Sequence, residues 1–187
     1  VVGGIAQGGG IYNNGLLTLQ QVMVTANQAV GGASGDGEPA YGGAIYNNGT
    51  LTVRNSTISG NRALGGNTLD ALANAGNAYG GGIYNNGSLS VQESTLNNNT
   101  AQGGNASAEY SGGGDAYGGG LYNVGALTVQ GSTISDNSAQ AGVAGGPSGY
   151  SGDAYGGGVV QWLSNMELMS FSGTTLSSHS AQGGNAG

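Results

Sequence analysis

The chain has 187 residues, of which only 6% are charged, against roughly 25% in an ordinary globular protein. Its 43 glycines follow no three-residue period, which excludes a collagen triple helix. The net charge is -7 and the only basic side chains are Arg54 and Arg62, so we expect no nucleic-acid binding and no polybasic membrane contact. No apolar run is long enough for direct membrane insertion.

A repeat of 38 residues separates Tyr46, Tyr84 and Tyr122 and dominates the chain. Nearly identical copies start with GGAIYNNGTLTVRNSTISGNRA, GGGIYNNGSLSVQESTLNNNTA and GGGLYNVGALTVQGSTISDNSA. A weaker copy precedes them and a degenerate copy follows. We therefore predict one β-helix domain over residues 1–187, with repeats near 9–41, 42–79, 80–117, 118–155 and 156–187.

Each copy predicts three short strands in chain order. Ile83 marks the first strand, Leu89 and Val91 alternate with an outward Ser90 in the second, and Leu96 marks the third. The segments between these strands are rich in Asn and Gly, which favours turns. One such unit cannot bury its apolar side alone, but units stacked about 4.8 Å apart can. We predict an all-β fold, a parallel β-helix solenoid of about five coils.

Gly-rich inter-strand segments connect the copies and start at Val30, Leu64, Gln102 and Gln140. The first of them is four residues shorter than the others. They form either outward loops or a wider part of each coil. Their near-constant length favours the wider coil, because free loops tolerate changes of length.

Stacking also aligns asparagines, whose amides can hydrogen-bond along a ladder. We expect two structural ladders, formed by Asn13, Asn47, Asn85 and Asn123 and by Asn27, Asn61, Asn99 and Asn137. His179, the only histidine, falls in the second ladder's position in the last copy. A structural role is therefore expected for it.

The segment GGAIYNNGTLTVRNSTISGN resembles the coil repeat of right-handed parallel β-helix surface proteins. These include the polymorphic outer-membrane-protein type, which carries a GGAI tetrapeptide, here at residues 42–45. The resemblance implies a right-handed coil and an extracellular or cell-surface location. The group includes adhesins and passenger domains, and no catalytic residue can be transferred from it.

The last copy is the most apolar, and two interpretations of it stay open. It is a terminal cap, or an assembly interface formed by Val160, Trp162, Leu163, Met166, Met169 and Phe171. The chain begins and ends with the two halves of one Gly-rich segment, as a fragment of a longer solenoid would. Joined head to tail, the ends would continue the repeat, and such a contact makes a filament.

Self-association therefore gives the leading hypothesis. It is an extracellular structural protein, a subunit that stacks end to end into a filament or a rigid surface stalk. The alternative is an adhesin-type or passenger-type module that binds glycan or protein on its Gly/Tyr-rich face. The tyrosines expected to contact the glycan or protein form one row, Tyr41, Tyr79, Tyr117 and Tyr155.

Catalytic chemistry has little support in the residues. With one histidine and no cysteine, neither a nucleophilic dyad nor a zinc site is expected. Asp115 and Asp153 share one position in adjacent copies, which makes them a candidate Ca²⁺ site with Asp36 or Glu38 nearby, or solvated loop acids. A polysaccharide lyase or hydrolase, which needs clustered acids, ranks third. We predict no enzyme, no catalytic or cofactor-binding residue, and no cofactor other than this Ca²⁺.

Five asparagines begin N-x-S/T sequons and are candidate glycosylation sites in a secreted protein. They are Asn48, Asn55, Asn86, Asn98 and Asn105.

Overall fold

A computed structural model describes residues 3–33, 35–162 and 168–185. Within these ranges the chain forms short β-strands and no helix. The same order of five strands recurs along the chain, and we call each set of five a rung.

The strands of the first two rungs show the pattern. The first rung contains β1 (Ala6–Gln7), β2 (Ile11–Asn13), β3 (Leu16–Gln20), β4 (Met23–Thr25) and β5 (Gln28–Val30). The second rung contains β6 (Ala40–Tyr41), β7 (Ile45–Asn47), β8 (Thr50–Arg54), β9 (Thr57–Ser59) and β10 (Arg62–Leu64).

The remaining three rungs repeat it. The third contains β11 (Ala78–Tyr79), β12 (Ile83–Asn85), β13 (Ser88–Gln92), β14 (Thr95–Asn97) and β15 (Thr100–Gln102). The fourth contains β16 (Ala116–Tyr117), β17 (Leu121–Asn123), β18 (Ala126–Gln130), β19 (Thr133–Ser135) and β20 (Ser138–Gln140). The last contains β21 (Ala154–Tyr155), β22 (Val159–Gln161), β23 (Met169–Ser172), β24 (Thr175–Ser177) and β25 (Ser180–Gln182).

Equivalent strands of successive rungs pair in parallel and form five sheets of five strands each. We name them sheets A to E after the order of their strands within a rung. Like residues face like residues: Ile83 pairs with Ile45 and Leu121, and Val91 pairs with Val53 and Val129. The chain is therefore a parallel β-solenoid of about four turns, and the prediction of an all-β parallel β-helix is confirmed.

The expectation of three strands per copy was wrong, because each rung has five. Sheets A and E lie at the two ends of the Gly-rich segments, which form part of the coil. Between these sheets, bridges join Thr68 to Ala106 and Asn74 to Gly112 in adjacent rungs. The extra strands are two or three residues long, and on the three inner rungs each of them buries one alanine. Such strands show no alternation to read, and alanine has a low strand propensity.

Two apolar clusters fill the solenoid. The aliphatic cluster lies between sheets B, C and D and includes Ile83, Leu89 and Leu96, all 3% exposed or less. The alanine cluster lies between sheets A and E and consists of Ala29, Ala40, Ala63, Ala78, Ala101, Ala116 and Ala139. The small alanine side chains let these two sheets lie close together.

Glycines form the sharp elbow between sheets A and B. Gly80 has a φ of +64°, in the left-handed region that favours glycine. At Gly81 a Cβ would overlap the carbonyl group of Thr100 and the carbonyl oxygen of Gly119 at under 3.0 Å. The elbow therefore requires the glycines that precede each Ile-Tyr or Leu-Tyr pair.

Candidate functional site

Two columns of stacked tyrosines cover the outer surface of sheets A and B. Within each column neighbouring ring centroids lie 4.9 to 5.4 Å apart. The strand patterns Ala-Tyr and Ile-Tyr-Asn bury the residues beside the tyrosine and so turn the ring outwards. The first column is Tyr41, Tyr79, Tyr117 and Tyr155, and the second is Tyr12, Tyr46, Tyr84 and Tyr122.

The two columns interlock edge to face. The rings of Tyr41 and Tyr84 lie 5.0 Å apart at 78°, and those of Tyr79 and Tyr122 lie 5.2 Å apart at 70°. Each of these contacts joins a first-column ring to a second-column ring of the following rung. Sequence reasoning named only the first column as a binding row and missed the second, although the same 38-residue spacing marks both. Because ring faces inside a column are covered, a ligand reaches ring edges and hydroxyl groups.

Packing in the columns favours the neutral phenols of Tyr84, Tyr117 and Tyr122. Burial raises the pKa of Tyr84 well above its ordinary value, and the neighbouring phenols add to the effect. Burial, with Tyr79 nearby, raises the pKa of Tyr122 to about 12. The pKa of Tyr117 is raised by burial and by its hydrogen bond to Asp115.

These shifts predict a loss of stability at high pH. A raised pKa favours the neutral phenol in the folded state, so its stabilisation is complete below the ordinary value of 10.0 and is lost as pH rises towards the folded values. We expect ultraviolet phenolate absorbance to appear at higher pH in the native protein than in the denatured chain. The melting temperature should fall over the same range. Coincident titration curves for the two states would contradict the packing described.

Beside the first tyrosine column lies a row formed by Asn77, Asp115 and Asp153, each two residues before a tyrosine of that column. The N–H of Asp115 donates to Asn77 Oδ1 at 2.7 Å, and the N–H of Asp153 donates to Asp115 Oδ1 at 2.8 Å. The hydroxyl of Tyr117 donates to Asp115 Oδ2 at 2.9 Å, and that of Tyr155 to Asp153 Oδ2 at 3.1 Å. Both carboxylates therefore carry structural hydrogen bonds.

The Ca²⁺ hypothesis lacks a complete ligand set in the described ranges. No group of three or more His, Cys, Asp or Glu side chains there could hold a metal ion. Asp36 lies in the same groove as Asp115. The Ca²⁺ site at Asp115 and Asp153 stays a prediction.

A groove of about 590 Å³ runs beside the first tyrosine column. Its walls come from four successive connections between sheets E and A and include Asp36, Tyr41, Asn74, Tyr79, Asp115 and Tyr150. The groove thus combines phenols, carboxylates and an amide.

The predicted assembly interface lies on the last rung. Met169 and Phe171 pair with Leu127 and Val129 and so continue two inward rows of the core. Leu176 continues a third row, and it is 47% exposed. The core is therefore uncovered on this side.

The other predicted interface residues are placed as follows. Val160 pairs with Tyr122 and so occupies the last-rung position of the second tyrosine column. Trp162 is 56% exposed. Leu163 and Met166 lie outside the described residues.

The two asparagine ladders have a direction. Asn47 Nδ2 donates to Asn85 Oδ1 at 2.6 Å, and Asn61 Nδ2 donates to Asn99 Oδ1 at 2.9 Å, each towards the following rung. The inner ladder residues are buried. They are Asn47, Asn85, Asn123, Asn61, Asn99 and Asn137.

Both ladders end on the last rung with a nitrogen that has no partner. Gln161 Oε1 accepts the amide of Asn123 at 2.6 Å, while Gln161 Nε2 is buried and unpaired. His179 Nδ1 accepts the N–H of Asn137 at 3.3 Å, while His179 Nε2 is buried and unpaired. On the first rung, Asn13 Oδ1 accepts the local N–H of Gly15.

All five sequon asparagines are exposed, and two of them bond to each other. Asn86 Nδ2, the atom that a glycan would modify, donates to Asn48 Oδ1 at 2.8 Å. Asn105 Oδ1 accepts the N–H of Val143 at 3.0 Å. Asn55 and Asn98 occupy tight turns with φ of 47° and 54°, a conformation that asparagine tolerates.

The described part of the chain contains no helix able to cross a membrane. Comparison of the chain with protein-family models, with curated proteins and with solved structures gives no match. A function must therefore be argued from the geometry of the sites themselves.

Proposed function

We propose that the protein is an extracellular structural element, a β-helical subunit that stacks end to end into a filament or a rigid surface stalk. The carrying observation is the pair of unpartnered buried nitrogens, Gln161 Nε2 and His179 Nε2, on the last rung. The right-handed coil and the likeness to polymorphic outer-membrane repeats belong to this proposal, with the resemblance of the GGAI repeat as their support.

The direction of the ladders supports a head-to-tail contact. The ladder amides up to Asn123 and Asn99 donate towards the following rung, while Asn137 donates to the last rung through its backbone N–H. The unpartnered nitrogens of Gln161 and His179 are therefore the next donors in the two ladders. The first rung of a second copy would present the oxygens of Asn13 and Asn27 in the same two positions. A buried donor without a partner costs about 1–3 kcal/mol, and this contact would remove that cost twice. A heterologous contact of this kind does not close, so it propagates as a filament.

Apolar complementarity supports the same contact. Met169, Phe171 and Leu176 would be covered by the equivalent residues of the first rung, Leu17, Leu19 and Val24. These rows repeat the aliphatic contacts that hold the inner rungs together. Unpaired strand edges at both ends favour such addition further.

The tyrosine columns would also continue across the junction. Inside the molecule, Tyr79 meets Tyr122 of the following rung edge to face. Tyr155, on the last rung, is 47% exposed, and Tyr12, on the first, is 54% exposed. Stacking a second copy in register would place its Tyr12 beside Tyr155 in the arrangement that Tyr79 and Tyr122 share.

Electron microscopy over a range of concentrations tests this proposal. We expect threads with an axial repeat of about 24 Å, five rungs of about 4.8 Å each. Leu176→Lys should abolish the threads, because it puts a charge on the uncovered core of the last rung. Ser177→Lys is the matched control, since Ser177 lies next to it on β24 and belongs to the outward-facing row.

The outcome separates an interface from a cap. Threads in the control and single particles in Leu176→Lys, with unchanged circular dichroism, would support end-to-end stacking. Single particles of the unmodified protein at every concentration would refute it, as would threads that Leu176→Lys does not affect.

An adhesin-type binding module is the second proposal, favoured by the groove beside the first tyrosine column. The absence of enzymatic activity stays a prediction, to be checked by incubation with polysaccharides.

A further inference from the structure

We propose that the groove beside the first tyrosine column binds an uncharged polysaccharide chain along the solenoid axis. The groove has a volume of about 590 Å³, within the usual range for ligand sites. Its lining comes from four successive repeats, represented by Asp36, Asn74, Asp115 and Tyr150. It therefore suits an extended chain better than a single sugar.

The polar groups of the groove match sugar hydroxyls, which both donate and accept hydrogen bonds. Tyr79 Oη accepts the amide of Asn77 at 3.1 Å, so its own hydroxyl proton remains to be donated. The carboxylate of Asp115 accepts one N–H and one hydroxyl from the protein, and each oxygen keeps a further lone pair. The walls thus offer both donors and acceptors.

An aromatic ring stands at the edge of this groove. Tyr150 lines it and is 87% exposed, unlike the column tyrosines, whose ring faces cover one another. A large exposed ring beside convergent polar groups is typical of a ligand site. The ring of Tyr150 can pack against the C–H face of a sugar.

Charge decides which polysaccharide fits. The groove contains the carboxyl groups of Asp36 and Asp115 and no Lys or Arg among its described lining residues. The whole chain carries a net charge of -7. Anionic polymers are therefore repelled, and uncharged ones are favoured.

Calorimetric titration with uncharged oligosaccharides tests the proposal. The probes are hexasaccharides of β-linked glucose and of N-acetylglucosamine, with polygalacturonate as the anionic comparison. We expect one uncharged probe to bind and polygalacturonate not to bind. Tyr150→Ala should weaken binding about tenfold, the value of one aromatic contact. Asp115→Asn should weaken it as well, while retaining the fold because Asn77 occupies the same position one rung earlier.

Tyr110→Ala is the control, because Tyr110 is also exposed, at 57%, but is not among the groove's lining residues. The affinity of Tyr110→Ala for the uncharged oligosaccharide should equal that of the unmodified protein. Absence of binding to both uncharged probes would overturn the proposal. Equal affinity of Tyr150→Ala, or equal binding of polygalacturonate, would overturn it too. Repeating the titration on Leu176→Lys separates this result from filament formation, because the groove lies away from the last rung's core.

Discussion

Gly81→Ala is expected to lower the free energy of unfolding by on the order of 4 kcal/mol or more, among the largest effects of a single substitution. A Cβ at this position would overlap the carbonyl group of Thr100 and the carbonyl oxygen of Gly119 at under 3.0 Å. Both obstacles are backbone atoms in hydrogen-bonded rungs, so neither can rotate away. Denaturant unfolding followed by circular dichroism measures the effect.

Gly15→Ala provides the matched control for this substitution. A Cβ at Gly15 has no atom within 4 Å, and its φ lies outside the left-handed region. We expect its free energy of unfolding to stay within about 0.5 kcal/mol of the unmodified protein. Similar losses for the two variants would show that the elbow between sheets A and B is looser than described.

Asn85→Asp is expected to lower the free energy of unfolding by on the order of 3–5 kcal/mol, although the two side chains have nearly the same shape. Asn85 is fully buried, and its Nδ2 donates to Asn123 Oδ1, to the carbonyl of Gly87 at 3.0 Å and to that of Ala126 at 3.1 Å. A carboxylate cannot donate and would face these acceptors as a buried anion. Thermal and denaturant unfolding at neutral pH measure the loss.

The next residue supplies the comparison, because Asn86 is exposed and belongs to an outer pair. Its Nδ2 donates to Asn48 Oδ1 at 2.8 Å in contact with solvent. Asn86→Asp should lower the free energy of unfolding by less than about 1 kcal/mol. If both substitutions cost the same, the inner ladder is not the buried hydrogen-bonded row that holds the rungs together.

Sequence alone determined the repeat, sheets B, C and D, and their register. The reason is that a strict repeat places like residues on like residues, so the alignment of Leu51, Leu89 and Leu127 is also their contact in space. Alternation of buried and exposed residues was visible in the five-residue strands, because they are long enough to show a period of two. The positions of both asparagine ladders followed from the same alignment.

Only the tertiary structure decided the course of the Gly-rich segments, the formation of sheets A and E at their ends, and the contact between the two tyrosine columns. On the inner rungs, sheets A and E bury one alanine per strand, such as Ala78 and Ala101, which leaves no periodic signal in the sequence. The contact between the two tyrosine columns depends on the angle that the glycine elbow sets between sheets A and B. Neither the composition nor the spacing encodes that angle.

The two proposed sites likewise arise from stacking. The groove joins residues of four repeats, such as Asp36, Asn74 and Tyr150, which differ in type and so do not appear as a motif. The direction of the ladders is a property of the hydrogen-bond network, since an asparagine amide can point either way along the axis. Local patterns therefore determined which residues stack, and the three-dimensional coil decided which edges, donors and surfaces the stack leaves open.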